Sequence, residues 1–126
     1  MAQGLGASRD YRLPIVYQFP AAKIDTVSTL GRIVGPEGKR GRLIGISSVL
    51  TVATTSGATE IRLGLSSDPD KYGIQSIAVG AIGTVTTDIT DYTASVLIPA
   101  DTEIELSSDN GAVVGDADIF VYINWF

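Results

Sequence analysis

The chain of 126 residues is 44% hydrophobic and 18% charged with a net charge of −5, which leaves room for one domain and excludes a disordered chain. It has no cysteine and no histidine. That excludes disulfides, thiolate nucleophiles, imidazole bases and most zinc or iron chemistry, so stability rests on the core and on self-assembly.

Residues 1–13 read as an extended N-terminal arm. Gly4, Gly6, Ala7 and Ser8 are small, Arg9, Asp10 and Arg12 are charged, and Tyr11 and Leu13 can pin the arm to a surface. Pro14 opens a first strand, Ile15–Phe19, which Pro20 ends. A second strand is expected over Thr26–Val34. Gly35-Pro36-Glu37-Gly38-Lys39-Arg40-Gly41 is a loop. In the next strand, Arg42–Ala53, alternation puts Ile44, Ile46, Ser48, Leu50 and Val52 on one face, and Leu43, Val49 and Thr51 on the other. After a turn over Thr54–Ala58, Thr59–Leu65 alternates with Ile61, Leu63 and Leu65 inward and Glu60 and Arg62 outward. The pair reads as a hairpin.

Ser66–Gly73 carries a turn signal and reads as a loop. Ile74–Val85, broken by Gly80 and Gly83, should hold one or two short strands, and Thr86–Asp91 is polar. Tyr92–Ile98 alternates again with Tyr92, Ala94, Val96 and Ile98 on one side. Pro99-Ala100-Asp101 turns the chain into Thr102–Ser107, where Ile104 and Leu106 face in and Glu103 and Glu105 face out. Asp109-Asn110-Gly111 is a further turn.

Asp118–Phe126 is the most hydrophobic segment. Ile119, Val121, Ile123 and Trp125 project to one side, and Phe120, Tyr122, Asn124 and Phe126 to the other. Two largely apolar faces predict a central strand whose second face, Phe120, Tyr122 and Phe126, is covered by another subunit. The whole pattern predicts an all-β, single-domain antiparallel β-sandwich or jelly roll of about eight strands, spanning 14–126. No apolar run reaches the roughly 18 residues of a membrane span, and Met1-Ala2-Gln3-Gly4 lacks a signal-peptide pattern.

The motifs that could carry chemistry have simpler readings. Gly35–Arg40 contains a Gly-Lys pair, but the phosphate-loop spacing fails and no helix pattern follows. Asp68-x-Asp70 and Asp116-x-Asp118 offer oxygens to calcium, but neither continues into an EF-hand loop, and both read as turn residues. Glu103 and Glu105 share one strand face instead of facing each other across a substrate. The aromatics of the last strand could stack a sugar or a base, but core or subunit packing is the simpler use. The reading is therefore no enzyme, no metal, no cofactor, no small-molecule substrate, no nucleic acid and no membrane.

Charge is unevenly spread. Residues 1–42 hold seven cations against three acids, a net of +4, and residues 43–126 hold two against eleven, a net of −9. A basic docking face made of Arg9, Arg12, Lys39, Arg40 and Arg42, with Tyr11 beside it, is expected to meet an acidic partner surface.

Three segments resemble the small accessory head proteins of tailed bacteriophages. They are Arg42-Leu43-Ile44-Gly45-Ile46 with Ile61-Arg62-Leu63-Gly64 and Ser67–Tyr72, the turn Ile98-Pro99-Ala100-Asp101-Thr102, and Asp118–Phe126. The resemblance implies a decoration or cement protein. Such a protein is non-enzymatic, made in the host cytoplasm and carried on the outer surface of the virion head. It would bind the major capsid protein and bridge capsomers as a homo-oligomer, a trimer in the first place and a dimer in the second. A fibre or tail-associated module that binds a glycan or receptor is the alternative.

Overall fold

A computed structural model describes residues 13–25, 27–89, 96–109 and 114–126. Its strands are β1 (Leu13–Lys23), β2 (Val27–Val34), β3 (Gly41–Thr55), β4 (Thr59–Leu65), β5 (Asp68–Ile77), β6 (Val85–Ile89), β7 (Glu103–Asp109) and β8 (Val114–Trp125). They form two four-stranded sheets. The first has the order β1-β8-β3-β6 and the second β2-β7-β4-β5.

All described pairs are antiparallel. The partners β1 with β8, β2 with β7, β3 with β6 and β4 with β5 nest like one long hairpin folded over on itself. That is the jelly-roll arrangement, so the expected all-β sandwich is observed and resolves to that member of the class.

The core lies between the sheets. Ile119, Val121, Ile123 and Trp125 of β8 all face it and are buried, as the alternation required. Opposite them are Ile33, Ile61, Leu63, Ile104 and Leu106 of the second sheet. Trp125, 1% exposed, is the largest of these side chains. Its indole N–H donates to the Tyr17 hydroxyl at 2.9 Å. A Cβ at Gly35 or at Gly41 would come within 2.5 Å of its ring, so both positions are glycine because the indole occupies that space. Phe19 fills the space over Gly31 in the same way. Across the sandwich, Gln75 of β5 donates its side-chain amide to the Ile46 carbonyl at 2.7 Å, a polar tie between sheets.

Several sequence expectations are corrected. β3 and β4 are not a hairpin: β3 lies in the first sheet and β4 in the second, and β4 pairs with β5 and β7. The chain from 66 to 73 is mostly strand, since the turn is only Ser66-Ser67 and β5 begins at Asp68. Proline and aspartate at its start are tolerated because β5 is an edge strand. β1 likewise runs through Pro20 to Lys23, with a register shift between Phe19 and Ala22. The polar stretch beginning at Thr86 is part of β6. Residues 92–95 of the expected strand 92–98 lie outside the described residues. Ile98 makes a single bridge to Gly41 instead of a strand.

In β3 a register shift between Leu43 and Gly45 puts both Leu43 and Ile46 in the core, so Ile44 does not share a face with Ile46. A second shift between Leu50 and Val52 leaves Leu50 buried and Val52 exposed. Plain alternation fails where an extra residue is inserted.

Candidate docking face

The outer face of the first sheet is built around β8. Its outward residues Phe120, Tyr122 and Asn124 stand opposite Gln18, Val16 and Pro14 of edge strand β1. On the other side they meet Ser47, Gly45 and Arg42 of β3. Phe120 and Tyr122 are half-buried within the single chain by these neighbours. The Tyr122 and Ser47 hydroxyls share a hydrogen bond of 3.1 Å, which fixes the phenol against β3. Val16 stands 51% exposed beside Tyr122. A small pocket of about 90 Å³ opens next to Phe120, lined by Gln18, Pro20 and Asp118.

At one end of this face sits the loop Gly35–Gly41 that carries Lys39 and Arg40. Lys39 N–H donates to the Pro36 carbonyl at 3.1 Å, closing a turn whose Gly38 has φ +74°, a conformation that favours glycine. Gly38 N–H donates to Asp101 Oδ1 at 3.0 Å and ties the turn to the segment before β7. Beyond the turn the backbone continues as ladder. Arg40 and Phe126 exchange both hydrogen bonds, at 3.0 and 2.9 Å, and Gly41 and Ile98 exchange another pair at 2.9 and 2.7 Å. Trp125 opposite Gly41 faces in, so Arg40 and Arg42 face out with Phe126 and Asn124. The Arg40 guanidinium lies 5.0 Å from the centre of the Phe126 ring, within cation–π range.

The cations expected to dock and the aromatics expected at a subunit contact are thus brought onto one face. Arg40, Arg42, Phe126, Tyr122 and Phe120 share it, and Lys39 lies in the turn at its end. Arg9, Tyr11 and Arg12 lie outside the described residues. Sequence reading passed over Val16, Ser47 and Val49 as members of this face. Only cross-strand register shows which side of β1 and β3 accompanies Phe120.

The outer face of the second sheet is different. Arg32 lies between Glu103 at 3.5 Å and Glu105 at 3.6 Å. Arg62 contacts Glu60 at 2.9 Å and Asp109 at 3.6 Å. The hydrogen bond from Arg62 to Glu60 raises the guanidinium pKa, desolvation opposes it, and the charge of Asp109 adds to the rise. Asp109 Oδ1 also accepts from Glu60 N–H at 2.8 Å and from the Thr59 hydroxyl at 3.1 Å. An open groove of about 580 Å³ runs here, lined by Val27, Thr29, Arg62, Pro69, Ser107 and Asp109 among others.

The aspartate pairs weighed for calcium have other partners. Asp116 contacts Lys23 at 3.7 Å, and Asp118 Oδ1 accepts from Ala21 N–H at 2.8 Å at the β1 irregularity. Among the described residues no three His, Cys, Asp or Glu side chains gather as a metal site. Also among the described residues, no helix is long and apolar enough to cross a membrane.

No protein-family profile matches the chain, and no curated protein matches it. Solved structures of similar fold include a chain of the acidic stable capsid structure of Helicobacter pylori bacteriophage KHP30. It has a TM-score of 0.46 at 10% identity, over 91% of this chain and 93% of that one. A chain of the cyanophage Pam1 capsid asymmetric unit gives 0.43 at 12%, over 90% and 80%. The Tobacco streak virus coat protein dimer gives 0.42 at 13%, over 90% and 86%. Likenesses this distant carry no function to the chain.

Proposed function

We propose that this protein is a structural component of a phage virion that binds the outside of the capsid and bridges neighbouring capsomers. The observation that carries the reading is the single rigid face holding Arg40 and Arg42 next to Phe126, Tyr122 and Phe120. Aromatic and arginine side chains together are the composition of binding hot spots. A sheet with strand pairing on both sides of β8 presents them with little ordering left to do on binding. The sequence resemblance to decoration proteins names the partner, the major capsid protein.

The physics suits the role. A shell under internal pressure parts first between capsomers. A sandwich seated across that seam adds its binding energy there, and many copies make a modest energy large. In this reading the face meets the capsid, so Phe120, Tyr122 and Phe126 belong to docking, and the homo-oligomer, a trimer before a dimer, forms elsewhere.

The test is co-sedimentation of the purified protein with expanded heads of its own phage. Binding should be seen, should weaken as salt rises because exposed charges are screened, and should weaken when Lys39 and Arg40 are both changed to Glu. No co-sedimentation at any salt would sink the proposal. A glycan array separates the receptor-binding alternative, which requires a saccharide signal.

A further inference from the structure

We propose that the small pocket beside Phe120 receives a lysine or arginine side chain of the docking partner, with the Asp118 carboxylate as its counter-ion. This pocket chemistry rests on the proposed docking mode and adds what the partner must present at this end of the face.

The pocket is a product of the irregularity in β1. Between Phe19 and Ala22 the pairing of β1 with β8 shifts register, so Pro20 and Ala21 leave the ladder and Asp118 has no partner on β1. Ala21 takes φ +50°, a conformation that costs a residue with a Cβ and that its surroundings must hold. Asp118 supplies the hold: its Oδ1 accepts from the freed Ala21 N–H at 2.8 Å. Bulges re-aim side chains and open the local surface. The result here is a recess of about 90 Å³, lined by Gln18 and Pro20 from β1 and by Asp118 and Phe120 from β8. Sites for small molecules run to roughly 300–1,000 Å³, so this one has room for the end of a single side chain.

Charge decides the occupant. Among the described residues no cation lies within ion-pair distance of Asp118, and its Oδ2 accepts no hydrogen bond. Asp116, the next outward residue on β8, differs, because Lys23 lies 3.7 Å from it. Asp118 is already half-buried and stands about 7 Å along β8 from Phe120. A partner that covers Phe120 therefore takes Asp118 out of water as well. An unpaired carboxylate resists that burial unless a cation or hydrogen-bond donors meet it. The Phe120 ring in the wall narrows the choice to a cation, which the negative face of an aromatic ring attracts.

The same outward row gives the face a polarity. Arg42 stands opposite Asn124, six residues and about 20 Å along β8 from Asp118. The partner surface that fits carries an acidic group at one end and a basic side chain at the other, with apolar contact between. Rotated by half a turn in the plane of the face, each charge would meet its like. The seat therefore has one orientation.

Asp118→Asn separates charge from structure, since the amide oxygen can still accept from Ala21 N–H. It should leave the melting curve unchanged and weaken co-sedimentation with expanded heads roughly tenfold. Asp116→Asn removes the same charge from the same row where Lys23 already serves it, and should bind as the parent does. Phe120→Leu keeps an apolar wall but removes the ring, and should weaken binding by less than Asp118→Asn. Undiminished binding by folded Asp118→Asn overturns the proposal: equal binding means the partner brings no cation to the pocket, and tighter binding means it brings an acid. Equal losses from the two asparagine variants overturn it too, because the effect is then one of net charge. If Asp118→Asn does not fold, Phe120→Leu decides, and undiminished binding by that variant overturns it. A parent that binds heads at no salt refutes the docking mode itself, and the pocket's role falls with it; the other outcomes are read only from a parent that binds.

Discussion

The two outer faces of this sandwich solve different problems with similar strands. On the second sheet each arginine has its acids in the same chain: Arg32 with Glu103 and Glu105, Arg62 with Glu60 and Asp109. There both arginines are paired within the chain, two cations among four acids. On the first sheet, Phe120 and Tyr122 are only half covered, Val16 and Val85 are exposed, and Arg40 is stacked on an aromatic ring instead of an acid. In the proposed docking mode the first face offers apolar area and cation together, while the second pairs its arginines within the chain.

The change with the largest effect removes the scaffold both faces share. Trp125→Ala should cost about 3–5 kcal/mol in denaturant unfolding, because a buried aromatic leaves a cavity the sheets cannot close. A cost under about 1 kcal/mol would show that the indole does not hold the sheets together. Next, Asp109→Ala strips acceptors from Glu60 N–H, Thr59 and Arg62, and should cost about 1–3 kcal/mol. Its capsid binding should be unchanged once folded, since in the proposed docking mode the second face does not meet the capsid. A tenfold loss of binding by folded Asp109→Ala would erase the distinction between the faces.

On the first face, Arg40→Glu should weaken capsid binding roughly tenfold, about 1.4 kcal/mol, while leaving the melting temperature nearly unchanged. Equal binding by variant and parent would detach Arg40 from docking. Base should also act through the sandwich, by way of Tyr17 on the first sheet and Tyr72 on the second. Burial raises the Tyr17 hydroxyl pKa above 10.0, against an opposing hydrogen bond from Trp125. Burial, then the charge of Asp68, raises Tyr72 likewise. A raised pKa means the folded protein keeps its proton to higher pH than the unfolded chain. Stability is thus unaffected below about pH 10 and falls as pH rises from there through the folded-state values. Melting curves between pH 8 and 11 check this, and a flat profile above pH 10 would contradict it. The smallest effect is Arg32→Ala, whose exposed pairs should contribute less than about 1 kcal/mol in unfolding.

Sequence by itself determined the fold class, the central strand and its inward row. The period-two rows Ile119, Val121, Ile123, Trp125 and Ile104, Leu106 are local signals, since alternation fixes a face once a strand forms. It also singled out Arg40, Arg42, Phe120, Tyr122 and Phe126, which the fold brings onto one face. What it left undecided was long-range: β3 and β4 are adjacent in sequence yet lie in different sheets, and β4 pairs with β7 from far along the chain. The reversals inside β3 came from bulges, which insert a residue without leaving a composition mark. The union of Arg40 with Phe126, and of Tyr122 with Ser47, depends on cross-strand register, which the packing of the whole sandwich sets. Only the tertiary structure could decide that two sites expected separately share one face, because no local pattern records which strands become neighbours.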